Sequence, residues 1–319
     1  MIASQNTPFY KVISLFIKSV ILFFSFYYIY DKLNHAPLIL DLSTLFSSEN
    51  KWFTLFIVAL MFVNWGLEAL KWKLLIAPLE PIGFKSSLKG ILCGITMSIF
   101  TPNRIGEFAG RVFFLEKADK IQASLMSLIG SFFQLSVTII AGIFAFFILE
   151  KKYYDFFQIQ QFISTNDLFF LIAAFILFAV VIVFILFRNK NTSEKFKKYI
   201  DTFKIHSGKN LNTIFNLSML RYIVFATQYY FALKVFGING GTILLFSLIA
   251  LTFLVTSVIP TFALTEIAVR SGVAIYFFGT ISTSHASILA ASLFLWIINL
   301  AIPALIGGVF VYKLKFFKE

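Results

Sequence analysis

The sequence predicts an all-α polytopic membrane protein, with about six full spans and two oppositely facing re-entrant helical hairpins in an inverted repeat. Three observations lead there. Of 319 residues, 59% are hydrophobic, 43 are Phe and only 13% are charged, whereas a soluble domain carries about 25% charged residues. Several apolar runs reach the ~20 residues that a helix needs to cross a bilayer. One short polar motif also occurs twice, "TPNRIGEFAGR" at 101–111 and "IPTFALTEIAVR" at 259–270, each directly after an apolar run.

The first span is expected at 10–30. It shows no clear cleavage site and reads as a retained helix rather than a signal peptide. The second starts near Trp52 and ends at "LKWKLL", where Trp and Lys read as interface anchors. The run at 88–100 is short for a span and leads into the first motif. Full spans are then expected at 121–149, 168–187, 214–236 and 287–312. The run at 242–259 leads into the second motif and is itself long enough to span fully. The chain reads as one transmembrane domain over 1–319. Repeat one is 52–149 and repeat two is 214–312, joined by the connector span 168–187 and a basic linker, 188–212.

Charge sets the orientation. The net charge is +12, and in a membrane protein Lys and Arg collect in cytoplasmic loops. No nucleic-acid partner is therefore read from it. Arg188, Lys190, Lys195, Lys197, Lys198, Lys204 and Lys209 make the linker cytoplasmic, and Lys313, Lys315 and Lys318 do the same for the C-terminus. Lys71, Lys73, Lys85 and Lys89 place the end of the second span inside, and Lys117 and Lys120 must be inside too, since two further spans lead from there to the linker. Residues ~88–116 thus enter and leave on one side. Segments 237–241 and 279–285 hold no Lys or Arg and read as external, so ~241–280 form a hairpin from the opposite face. By the same count the N-terminus is cytoplasmic.

Within the motifs, Glu107-x-Ala109-x-Arg111 and Glu266-x-Ala268-x-Arg270 share one offset of 159 residues, and Pro102 and Pro260 precede them. Paired motifs at the tips of opposed discontinuous helices fit transporters that hold substrate near the bilayer midplane. Pro102 and Gly106 break the first hairpin, and Pro260 the second. The helix that begins near Ile105 turns its free N–H groups toward an anion. Arg104, Glu107 and Arg111, with Glu266 and Arg270, form the candidate substrate site, because a guanidinium fork matches phosphate oxygens. The bland alternative is that Glu107–Arg111 and Glu266–Arg270 are only i, i+4 ion pairs. Glu68 and Lys71 read as a structural pair near the interface, and Arg221 as a snorkelling side chain. Gln228, Tyr229, Tyr230 and Asn299 read as interhelical hydrogen-bond partners. A single cysteine, Cys93, and three scattered histidines suggest no disulfide, no metal site and no cofactor.

These residues carry a resemblance. "TPNRIGEFAGR" resembles the "TPGRxGE" signature of the lysylphosphatidylglycerol synthase transmembrane, or flippase-like, family. "LKWKLL" is similar to that family's Arg-Trp element, and "SVIPTFALTEIAVR" to its second, proline-led motif. Asn103 stands where the family has glycine, and Phe262, Ala263 and Thr265 occupy its glycine-rich second turn. The resemblance covers nearly the whole chain and implies a stand-alone member without the soluble aminoacyltransferase domain, in a bacterial inner (cytoplasmic) membrane. It implies a lipid translocase whose partner is an anionic or phosphate-bearing lipid head group, of phospho- or polyprenyl type. Two alternatives stay open: a membrane-embedded lipid-modifying enzyme, and a non-catalytic partner of a glycosyltransferase or lipid-modifying enzyme. Oligomeric state is not legible.

Overall fold

The computed structural model describes residues 45–99, 101, 104–112, 114–153, 202, 208–259 and 263–312. The expected spans at 10–30 and 168–187, most of the basic linker, and Pro102 and Pro260 lie outside the described residues. Regular structure among the described residues is helical throughout, as befits a chain whose backbone groups must pair internally in hydrocarbon. The helices are α1 (Lys51–Ile76), α2 (Phe84–Ile99), α3 (Gly106–Val112), α4 (Lys120–Tyr153), α5 (Gly208–Val235), α6 (Thr242–Val258), α7 (Ala263–Phe278) and α8. The last runs over His285–Trp296, passes through a π-helical segment, Ile297–Ala301, and continues as Ile302–Tyr312.

Among the described residues, three helices are long and apolar enough to cross a membrane: Lys51–Ile76, Lys120–Lys151 and His285–Phe310. α5 has the length, with 28 residues, but Asn, Arg, Gln and Lys side chains dilute its hydropathy. The other helices are shorter. α2 and α6, with 16 and 17 residues, extend about 24–26 Å at 1.5 Å per residue. The seven residues of α3 extend only about 10 Å, a third of a ~30 Å hydrocarbon core.

The helices form two series of the same plan, long–short–short–long. They interlock. α1 packs along α5, α2 packs against the Ile302–Tyr312 part of α8, and α4 packs against α6. Exchanging the two series leaves this list unchanged: the leading helices meet each other, and the inner helix of each hairpin meets the closing helix of the other series.

Glycines set the spacing in the first hairpin. Gly94 on α2 faces Gly110 on α3, Gly90 lies against the Arg111 backbone, and Gly106 lies against the Met97 carbonyl. A Cβ on Gly110 would stand 2.5 Å from Gly94 Cα, and one on Gly94 would stand 2.7 Å from Glu107 O. Any larger residue would force the helices apart, which is why small residues four apart recur where membrane helices touch. Across α2, Gly307 sits on the Leu92 carbonyl, and Thr96 Oγ1 donates to Ala304 O at 2.6 Å. α2 is thus held on two sides by backbone-level contact.

The two ends of this hairpin lie together. Glu80, just past α1, accepts the backbone N–H of Glu116 at 3.1 Å on one carboxylate oxygen. Its other oxygen accepts those of Lys117 and Ala118, at 2.7 and 2.8 Å. Partial burial raises the pKa of this carboxyl, but the three N–H donors and the Lys117 charge outweigh it and hold the pKa below its usual value. The second hairpin also closes on itself, since a Cβ on Gly240 would stand 3.5 Å from Ile281 Cδ1. Gly237, at φ 78°, ends α5 in a left-handed turn, with the Ile238 N–H returning to Leu233 O.

One sequence expectation is corrected here. In "LKWKLL", Lys71 and Trp72 are each only 1% exposed, so they are not interface anchors. They face inward, and Lys73 is the residue that points outward.

Candidate functional site

The first motif builds its geometry locally. Arg104 adopts a left-handed backbone, φ 57°, uncommon for a side-chain-bearing residue. The turn is tied by Thr101, whose hydroxyl accepts the Gly106 N–H at 2.8 Å. That bond satisfies one of the donors left free where α3 starts. Starting α3 at Gly106 puts Glu107 and Arg111 on one face, and the two form an ion pair. Because Gly110 lets α3 sit against α2, Arg111 is carried up to α1.

There it meets Glu68, the centre of the site. Glu68 Oε1 lies 2.9 Å from Arg111 Nη1. Its Oε2 lies 2.7 Å from Lys71 Nζ and 2.8 Å from Arg221 Nη1. One carboxylate therefore holds three cations, from α1, α3 and α5. The side chains of Glu68, Lys71 and Arg111 are 2–3% exposed, and burial of this kind requires pairing. Indole rings line the web. The Arg111 guanidinium lies 6.0 Å from the Trp72 ring centre and that of Arg221 lies 5.2 Å from Trp65, both within cation–π range. Lys71 Nζ also donates to Gly130 O at 3.4 Å.

The web continues into the second series. Arg221 Nε donates to Asn64 Oδ1 at 2.9 Å, and Asn64 Nδ2 donates to Asn299 Oδ1 at 3.1 Å. Asn299 lies in the π-helical segment, and Pro303 follows four residues later. Proline has no N–H for the carbonyl of residue 299, so the ladder is locally rearranged, and π-helical turns of this sort are frequent at functional sites.

These side chains open on a cavity of about 350 Å³. α1, the first motif and α5 supply its charged wall. The opposite wall holds aromatic and hydroxyl groups: Phe225 and Phe253 stack with centroids 4.9 Å apart, and Tyr229 shares a hydroxyl hydrogen bond of 2.7 Å with Ser292. Arg270, from the second motif, lies with its guanidinium 5.9 Å from the Phe225 ring centre.

Of the residues singled out in sequence, Arg104, Glu107, Arg111 and Arg270 all line this one cavity. Gly106 is at the start of α3. The side chain of Glu266 lies outside the described residues, as do Pro102 and Pro260. Sequence reasoning undervalued Glu68, Lys71, Arg221 and Asn299, and missed Asn64. Arg221 is not a snorkelling side chain, since it is 20% exposed and ion-paired to Glu68. The signal was present: Asn64, Glu68 and Lys71 fall at i, i+4 and i+7, one polar stripe on an otherwise apolar helix.

The family described as lysylphosphatidylglycerol synthase TM region has a model that matches residues 12–307. No curated protein and no solved structure matches the chain.

Proposed function

Because the chain belongs to the lysylphosphatidylglycerol synthase transmembrane family, integral membrane proteins associated with lipid handling, we propose that it moves a phosphate-bearing lipid between leaflets. The observation that carries this reading is that both motifs, 159 residues apart, contribute arginines to one cavity. In this reading the two hairpins enter from opposite faces as an inverted repeat, and their tips meet near the midplane. The interlocked packing of the two series supports that arrangement. So does the joining of both ends of the first hairpin at Glu80. α3, about 10 Å long, has the length of a tip segment rather than a span. The head group binds among Arg104, Arg111, Arg221 and Arg270 while its acyl or prenyl tails stay in hydrocarbon. The location that goes with this reading is a bacterial inner membrane, with both termini cytoplasmic.

Glu107 acts as a local counter-anion in this scheme. It occupies Arg111 when the cavity is empty and returns to it when the head group leaves, so that neither step leaves a naked buried charge. The test uses purified protein in liposomes that carry a fluorescent phospholipid. Dithionite then bleaches the outer leaflet alone in protein-free vesicles and both leaflets where lipid is translocated. Wild type is expected to give the second result. Glu107→Gln is expected to insert and fold, because Glu68 still pairs Arg111, yet to translocate at least tenfold more slowly, about 1.4 kcal/mol on the barrier. Bleaching of the outer leaflet alone with wild type rejects the proposal.

A further inference from the structure

The charge balance of the cavity deepens this reading, on which it rests, by naming the class of head group. Among the described lining residues, Lys71, Arg104, Arg111, Arg221 and Arg270 face only two carboxylates, Glu68 and Glu107, a net formal charge of +3. Glu266 stands one helical turn before Arg270 on α7, and counting it in full still leaves +2. Charge held away from water is costly unless an opposite charge matches it. A zwitterionic head group brings no net charge to this site, and a phosphodiester with one negative charge leaves a cationic excess. A phosphomonoester carries about −1.5 to −2 near neutral pH, and a diphosphate carries at least as much.

The geometry points the same way. Arg111 and Arg221 approach the two oxygens of the Glu68 carboxylate from different helices, at 2.9 and 2.8 Å. Two guanidinium groups on separate oxygens of one anion is the arrangement that a terminal phosphate, with three free oxygens, satisfies while leaving an oxygen for a further cation. A phosphodiester offers one free oxygen fewer, because a second of its four oxygens is esterified. We infer that the cavity selects lipids whose head group ends in a phosphomonoester or diphosphate over those with an internal phosphodiester.

The test uses the full chain in a nonionic detergent. Three of its four tryptophans report on the site: Trp65 and Trp296 line the cavity, and Trp72 lies beside Arg111. Dioleoyl phosphatidic acid, phosphatidylglycerol and phosphatidylcholine are titrated against tryptophan emission, with inorganic pyrophosphate as the lipid-free arm. At about pH 8 phosphatidic acid is expected to bind at least ~10-fold more tightly than phosphatidylglycerol, and the preference should narrow at about pH 5, where the second proton of the phosphate is back on. Arg270→Gln should weaken phosphatidic acid binding and Glu107→Gln should tighten it. A folding defect would weaken both, so opposite signs identify the charge balance itself. Equal affinity for phosphatidic acid and phosphatidylglycerol, or shifts of the same sign in the two variants, would overturn the inference. Pyrophosphate binding as tightly as phosphatidic acid would overturn the lipid assignment in favour of a free anion. The two levels separate cleanly. Non-selective binding with translocation intact removes only the head-group class. Selective binding without any translocation removes the translocase and leaves the head-group class standing.

Discussion

The two hairpins occupy equivalent places in their series, yet they are built differently. In α2–α3, glycine meets glycine, the return helix is seven residues long, and Arg111 ties it to Glu68 on α1. In α6–α7 the return helix has 16 residues, the motif at 259–270 holds no glycine, and α6 meets α4 through a side chain, Leu254 over Gly142. Among the described residues the first hairpin is held by backbone contact and ion pairs, whereas α6 meets α4 by dispersion between apolar groups. In a bilayer, dispersion is the weaker restraint, because lipid tails compete for the same surfaces. In the proposed scheme this difference makes the first hairpin the fixed wall of the site and the second the element freer to shift.

The sharpest way to break this comparison is to remove the centre of each side. Glu68→Ala leaves Lys71, Arg111 and Arg221 without the carboxylate that binds all three, and loss of one partner from a buried ionic group costs about 3–5 kcal/mol. Phe253 is the equivalent hub on the aromatic wall, with Tyr222, Phe225 and Tyr229 around it. Phe253→Ala would cost about 3–5 kcal/mol in a water-soluble core, but lipid is as apolar as the core it replaces, so the transfer part of that cost largely cancels and mainly the ring contacts are lost, each worth about 0.5–1.5 kcal/mol. Thermal unfolding in detergent should show the larger loss for Glu68→Ala. A larger loss for Phe253→Ala would mean that packing, not charge, holds the core of the site.

A smaller effect separates the hairpins position by position. Gly110 and Val269 are equivalent under the 159-residue offset. Gly110→Val drives a side chain into Gly94, and overpacking of this kind costs about 1–3 kcal/mol. Val269 is 2% exposed, and Val269→Ala leaves a small void worth about 1 kcal/mol. Melting temperatures should fall further for Gly110→Val. Equal falls would show that the glycine contact in α2–α3 tolerates separation and does not fix the spacing of the two helices.

How much of this was legible follows from what each feature depends on. The helical class and membrane character depend on composition and run length, which a sequence carries in full. The motif arginines were legible because Pro, Gly and charge cluster inside apolar sequence, where charge is expensive. Glu68 was harder. A Glu with a Lys three residues on looks like any local pair, and its meaning comes from Arg111 and Arg221, 43 and 153 residues away in the chain. The glycines of α2 and α3 had a visible spacing, but spacing alone does not say that Gly94 meets Gly110. The π-helical turn at Asn299 had Pro303 as its only hint.

The smallest expected effect concerns the bases of the hairpins, where the comparison turns on titration. The first base is held by Glu80 against three backbone N–H groups. The second, loops 236–241 and 279–284, contains no acidic residue. Partial burial pushes the Glu80 pKa up, the N–H donors and Lys117 pull it down, and the balance is a folded-state pKa below the usual value. A carboxyl with a depressed pKa stabilises the fold above its unfolded pKa of about 4.3, and that contribution is lost as pH falls through the folded value. The site is largely solvated, so screening keeps the effect within ~0.2–1 kcal/mol. At neutral pH, Glu80→Gln should speed hydrogen exchange at the amides of Glu116, Lys117 and Ala118 and leave those of 279–282 unchanged. The difference in melting temperature between wild type and Glu80→Gln should be full at neutral pH and close on acidification. If exchange rises equally at both bases, the carboxylate is not a local latch and the two ends of the molecule open together. If nothing changes at 116–118, the three N–H groups are satisfied by water as well as by Glu80, and the first hairpin owes its closure to its glycines alone.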